Sequence, residues 1–358
     1  MRKIKTFKYI SLVISAGIAL LASGISGCIT DPYSVGEPDS LFSEYRLVWD
    51  LVDSHYACFF AKEDVNWDEA YQKYREAATN LTSRGELVDL CLQMMGELQD
   101  QNLALRDSNG SWMESWNQGD FVNWDLTVWL EYMRRWTSPS LIPPGVTFDI
   151  FGAIELNPSI ADNLGYIYIS NLGSGYDWVG FFSETYTVAE CSGLIFDLRM
   201  CGESGIESNA FYTCGRFVVE STLAYYRVFR VGPGRNDMGN MLPVLAYRNG
   251  IWQFTNPIVL LTGRYTQGAA EQLVLFLKTQ QHVTVIGDTT AGFANPIVSF
   301  NLTEDWTIEI PEMVTYTKDN LLILNCGIAP DIVIPVSEAD FAAGVDPVLD
   351  AAIEMLVP

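Results

Sequence analysis

Residues 258–287 read IVLLTGRYTQGAAEQLVLFLKTQQHVTVIG, and this stretch decides the fold class. Ile258–Thr262 and Val283–Gly287 are short apolar runs suited to buried strands, and Ala269–Lys278 between them has helical character. Strand, turn, helix and strand within thirty residues is the pattern of an α/β layer built around a sheet. Outward from it, Tyr166–Ser170 and Leu194–Leu198 repeat the strand pattern, and Glu207–Glu220 predicts a further helix. Ile297–Leu302 and Trp306–Ile310, separated by Thr303-Glu304-Asp305, predict a hairpin covering one end of the layer. Ile332–Ile334 predicts one more strand, and Asp346–Met355 a closing amphipathic helix. No glycine-rich phosphate loop precedes a helix in the required way.

Before this layer the period is helical. Phe42, Tyr45, Trp49, Val52 and Tyr56 recur at three- and four-residue spacing and mark one buried face. Asn66-Trp67-Asp68-Glu69 and Ser83-Arg84-Gly85-Glu86 have the form of capping boxes opening two further helices. These three helices predict an amino-terminal helical domain over 42–106. The connecting segment, 107–160, is irregular and rich in tryptophan, holding Trp112, Trp116, Trp124, Trp129 and Trp136. Indole faces at that density suit either a stacking surface for sugars or peptides, or a helix packed by its large side chains with Trp129, Met133 and Trp136 on one face. The α/β core then spans 161–358.

The chain has 358 residues, 49% of them apolar and 13% aromatic, which excludes a solvated, disordered chain. A formal charge of −23 argues against gripping nucleic acid. His55 and His282 are the only imidazoles, so a histidine-rich metal centre is excluded; neither a metal nor a cofactor is expected. Residues 1–27 carry Arg2, Lys3, Lys5 and Lys8 followed by the apolar stretch Ile10–Ala22, too short for a membrane span and shaped as an export signal. The signal ends in Ile25-Ser26-Gly27-Cys28, which resembles the lipobox of bacterial lipoproteins; that likeness implies lipid on Cys28 and a tether over 28–41. The expectation is a protein held by lipid in the bacterial cell envelope, at the outer membrane. Of the remaining cysteines, Cys58, Cys91, Cys191, Cys201, Cys214 and Cys326, most lie in apolar runs and read as buried free thiols, with one disulfide open in an exported chain.

Six segments in order resemble the S41 peptidases, the tail-specific or carboxyl-terminal processing proteases. Leu98-Gln99-Asp100 lies in the helical region. Leu164-Gly165-Tyr166-Ile167-Tyr168-Ile169 and Gly193-Leu194-Ile195-Phe196-Asp197-Leu198-Arg199 are similar to the family's "GYIRI" and "GLILDLR" strands. Thr266-Gln267-Gly268-Ala269-Ala270-Glu271 resembles its "TxSAAE" nucleophile turn. Val285–Gly292 follows "VIGExTxG", and Gly327-Ile328-Ala329-Pro330-Asp331 is similar to "GIxPD". The resemblance implies a ClpP/crotonase-like core. It also implies a PDZ-like module of some 80 residues, for which the roughly 60 residues between Leu105 and Gly165 are too few, so that module is expected to be absent or severely reduced.

The resemblance carries over the fold and not the chemistry. Gly268 stands at the serine position and offers no nucleophilic oxygen. Asn102 occupies the place of the "LxDxH" histidine, and an amide does not accept a proton near neutral pH. Leu324 stands at the glutamate of "EGxGI", and Gly292-Phe293-Ala294 lacks the lysine that other members use as base. Thr266, Ser204, Thr290, Cys201 and Cys326 are the remaining nucleophile types near these motifs, none with a base beside it in sequence. Asp197, Arg199, Glu203 and Glu271 read as loop braces. Gly202, Gly268 and Ala269 resemble positions whose N–H groups form the family's oxyanion hole and are the ligand-binding candidates. The expected function is a non-catalytic S41 relative binding a peptide or partner protein in a vestigial cleft. The alternatives are a serine-type endopeptidase with displaced catalytic residues and a carbohydrate-binding lipoprotein using the tryptophan-rich segment.

Overall fold

Gly193–Asp197 and Ile258–Thr262 are buried at every position because apolar layers cover both faces of the strands they form. They are the centre of a six-stranded sheet seen in a computed structural model, which describes residues 40–357 except 120, 122–123, 137–150, 157–162, 203–204 and 251. Along the chain, α1 (Leu41–His55), α2 (Trp67–Ala78) and α3 (Arg84–Gly96) are followed by β1 (Ala104–Asp107), β2 (Trp112–Glu114) and α4 (Leu126–Trp136). Next come β3 (Phe151–Glu155), β4 (Leu164–Ile169), α5 (Trp178–Glu184), β5 (Gly193–Asp197), α6 (Glu207–Cys214), β6 (Thr222–Phe229) and β7 (Leu242–Ala246). The remainder is β8 (Ile258–Thr262), α7 (Ala269–Leu277), β9 (Val283–Gly287), β10 (Ile297–Thr303), β11 (Trp306–Pro311), β12 (Met313–Thr317), β13 (Ile332–Val333), α8 (Glu338–Ala342) and α9 (Pro347–Leu356).

The large sheet has the order β13-β9-β8-β5-β4-β3, parallel except for β3, which returns antiparallel to β4. One face packs α7 and its surroundings, with Phe196, Leu260, Leu273 and Phe276 fully buried. The other face packs α4 and α9, with Trp129, Tyr166, Ile195 and Leu349. Parallel strands joined through α7 place the turn at Gly268 where β8 ends and the helix begins, the usual position of a binding site in such sheets.

The helical stretch predicted over Glu207–Glu220 stops at Cys214. Beyond Gly215 the chain turns Phe217 and Val218 into the core, so an apolar run that mimics a helix is a buried connection. The predicted hairpin forms as β10 and β11, but its apolar face joins the helices: Leu302, Ile308 and Ile310 share a core with Tyr45, Val52, Leu90 and Met94. β1 completes that union by pairing antiparallel with β11, Leu105 opposite Ile308. Residues 107–160 are less irregular than expected, since β2, α4 and β3 fall there. Asn66 and Ser83 do cap α2 and α3, accepting from the N–H groups of Glu69 and Glu86. Cys58, Cys91, Cys191, Cys201 and Cys214 are buried free thiols, whereas Cys326 is exposed. Cys28 lies outside the described residues.

Candidate functional site

Gly268 opens α7 with φ 61° and ψ −122°, a backbone state that costs an ordinary residue about 1–3 kcal/mol and a glycine little. The sharp turn is held from below by Glu271, fully buried one turn into the helix. Its carboxylate accepts from the Gly268 N–H at 3.2 Å, the Thr290 hydroxyl at 2.5 Å, the Gly292 N–H at 2.7 Å and the Phe293 N–H at 2.6 Å. Burial pushes this carboxyl up and the four donors pull it back, leaving it at about 7. Glu271 therefore braces two loops against the helix head, as expected.

The other loops converge on the same place. Gln101, beside Asn102, donates to the carbonyl of Ala291 at 2.8 Å, and the Ala291 N–H donates to the carbonyl of Thr266 at 3.0 Å. Gln118 donates to the carbonyls of Ala291 and Asn325, at 3.1 and 2.9 Å, and Asn325 donates to that of Gln99 at 2.5 Å. The loops bearing Asn102, Gly268 and Leu324 are thus laced together by backbone-directed hydrogen bonds, although these positions are up to 222 residues apart in sequence.

None of the three presents chemistry. Asn102 is fully buried and donates its side-chain amide to Asp100 at 2.7 Å, and Asp100 also takes the Tyr56 hydroxyl at 2.8 Å. Leu324 is buried in the core that the helices share with the hairpin. The threonines are engaged too. Thr266 donates to the carbonyl of Leu198 at 2.9 Å and accepts from the Gly263 N–H at 3.0 Å. Thr290, fully buried, donates to Glu271 and accepts from the Ile328 N–H at 2.7 Å. Cys201 is buried. Glu203 and Ser204 lie outside the described residues. The histidines sit elsewhere: His55 ends α1 and bonds Glu312, and His282 precedes β9, its imidazole pushed down by burial.

The ligand-binding candidates need one correction. The Gly202 N–H donates to the carbonyl of Met200 at 2.8 Å, and that of Gly268 points at Glu271, so neither is open to a ligand oxygen as expected from the family's oxyanion hole. Both bonds are short-range closures that sequence does not reveal. Among the described residues, a Cβ built at Gly202 would come to ordinary contact distance of the Gln267 amide nitrogen, at 3.6 Å, and of the Tyr265 carbonyl, at 4.0 Å. Gly205, by contrast, lies directly over the helix head, its Cβ direction 2.6 Å from that of Ala269.

Arg199, predicted as a brace, is the strongest one. It is fully buried between Asp197 and Asp346, donating to the first at 3.0 and 2.8 Å and to the second at 2.9 Å twice. Burial alone would lower its affinity for the proton; the two carboxylates hold it above its ordinary value. Asp346 also caps α9 through the N–H groups of Val348 and Leu349, both at 3.1 Å. The same ion triad thereby fixes the end of β5, from which Leu198 and Cys201 offer their carbonyls to Thr266 and Gln267.

Two tryptophans of the connecting segment are engaged in packing. Trp129 is buried on α4, and Trp112 lies under the Arg106 guanidinium, 5.2 Å from its ring centre, and beside Phe293. Those two indoles are thereby occupied.

Comparisons with known proteins agree with this geometry. Residues 163–334 match the description "Peptidase family S41", and residues 43–96 match "Tricorn protease C1 domain". A crystal structure of a candidate peptidase from Parabacteroides merdae, 25% identical, superposes with a TM-score of 0.74 over 89% of this chain and 97% of that one. This chain is a homologue of the S41 and tricorn peptidases in sequence and fold. The tricorn protease of Thermoplasma volcanium is 27% identical over 197 residues, 54% of this chain but 17% of that much longer protein. A lipoprotein from Streptococcus agalactiae, 15% identical, shares the fold with a TM-score of 0.57, covering 86% of this chain and 96% of that one.

Proposed function

We propose that this S41 homologue is non-catalytic and holds a peptide or protein partner against the turn at Gly268. One observation carries the reading: the helix head keeps its strained turn and its Glu271 brace while the residue on the turn has no side chain. Among the described residues, the Thr266 and Thr290 hydroxyls that could replace it donate into the fold. Acyl transfer needs an oxygen or sulfur with a base in reach, and the turn supplies neither. Gly202 has no side chain, and a Cβ there would already touch Gln267, so the bare backbone leaves an extended chain a place to lie along the turn. A serine-type endopeptidase with displaced catalytic residues is the second reading, favoured by the peptidase names of the relatives. The basic leader, apolar stretch and Cys28 support attachment by lipid to the bacterial envelope.

The test is binding of a positional library of fluorescein-labelled heptapeptides, followed by polarisation at 150 mM salt. Wild-type protein is expected to bind members of the library saturably and to leave them uncut. Gly202→Trp, which sets an indole against Gln267 and Tyr265 beside the turn, is expected to weaken binding at least about tenfold, a loss of about 1.4 kcal/mol, with an unchanged circular dichroism spectrum. Absence of saturable binding, or an indifferent Gly202→Trp variant, would overturn the proposal.

A further inference from the structure

A cavity of about 690 Å³ opens beside Tyr265, three residues before Gly268. Its walls come from three places distant in sequence: Phe121, Trp124 and Asp125 at the start of α4, Tyr265 from the turn, and Glu338 and Phe341 on α8. Tyr265 joins it to Gly202, because the Tyr265 carbonyl lies 4.0 Å from the Cβ direction of Gly202.

The chemistry of the walls is one-sided. Four aromatic rings and three carboxylates, Asp125, Glu131 and Glu338, line it, and among the described residues no lysine or arginine does. Two guanidinium groups stand nearby, and each has a carboxylate of its own. Arg134 bonds Glu131 at 2.6 Å, and Arg264 lies 3.3 Å from Asp288. Arg264 also stacks over Phe121, 5.1 Å from the ring centre, so one ring of this wall already accommodates a guanidinium. Asp125 accepts the Val128 N–H through one oxygen, and among the described residues no cation pairs with Asp125 or Glu338. Aromatic faces beside unneutralised carboxylates attract a cation with an apolar stem, through ring quadrupole and charge together.

We propose that this cavity takes a lysine or arginine side chain of a peptide whose main chain runs past Gly202. The inference rests on the peptide-binding reading, and the arms of its test separate the two. The probes are the fluorescein-labelled heptapeptide Gly-Ala-Leu-Arg-Leu-Ala-Gly and its counterpart with neutral, near-isosteric citrulline in place of arginine. The arginine peptide is expected to bind about tenfold tighter, the advantage of two partly exposed charge contacts. In the Asp125→Asn/Glu338→Gln variant that advantage is expected to fall below about twofold, with citrulline binding unchanged. Glu63→Gln/Asp64→Asn, an exposed acidic pair on the connection after α1, is expected to leave it intact and so controls for the general negative charge. Equal binding of the two peptides, both weakened by Gly202→Trp, would overturn the cavity assignment and keep the cleft. An arginine advantage that survives Asp125→Asn/Glu338→Gln would overturn it as well. Failure of both peptides to bind would remove both readings.

Discussion

Arg199→Met is expected to destabilise the protein by about 3–5 kcal/mol, because it leaves two buried carboxylates facing each other without their cation. Asp197 and Asp346 are 0% and 1% exposed, so neither can recover its charge stabilisation from water. In a protein of this size that loss corresponds to a thermal midpoint lower by about 5–10 °C. Adding Asp197→Asn and Asp346→Asn to Arg199→Met should recover much of the loss, which distinguishes an uncompensated charge from a packing defect. Thermal melts followed by tryptophan fluorescence give the answer. A shift under 2 °C for Arg199→Met would show that the triad does not hold β5 and α9 together.

The second large effect is a pH dependence centred on Glu271. Its folded value of about 7 lies above the ordinary 4.5, so the folded state holds its proton more firmly than the unfolded chain does. The resulting contribution to stability is fully present below about 4.5 and is lost as pH rises through 7. Glu271→Gln, locked neutral, lacks this loss. Between pH 5 and pH 8.5 the stability difference between the two proteins is therefore expected to move by roughly 2–3 kcal/mol in favour of the variant. Denaturant melts across that range read it directly. A difference moving the other way would mean that the four donors outweigh burial and keep the carboxylate charged throughout.

The sequence made the parallel layer readable because its strands are buried on both faces and so appear as unbroken apolar runs. β8 and β9 fall where 258–287 predicts them, and α7 differs by one residue. β6 and β12 left no such mark. Their burial alternates or is partial, and Arg227 and Tyr226 interrupt the pattern. The shared core of the helices and the hairpin was hidden for another reason: β1 and β11 pair across about two hundred residues, and nothing local to either encodes the partner.

The site divides in the same way. Gly268, Asn102 and Leu324 were legible through their resemblance to motif positions, and the structure brings their loops together. The engagement of the Gly202 N–H by Met200 was not legible, nor was the fourfold coordination of Glu271, because both depend on how loops fold back on themselves. The cavity walled by Trp124, Tyr265 and Phe341 was equally invisible, being assembled from segments more than seventy residues apart. Trp124 belongs to an aromatic run in the sequence, which shows its type and not its neighbours.

Whether acyl chemistry occurs at the head of α7 is decided by treating the purified protein with a fluorophosphonate probe while supplying unfolded β-casein, then reading intact mass and new peptide termini together. The expected result is an unmodified protein mass and uncut casein over hours. A stoichiometric adduct on Thr266, Thr290 or any other side chain around Gly268, with cleavage that disappears when that residue is replaced, would contradict the account.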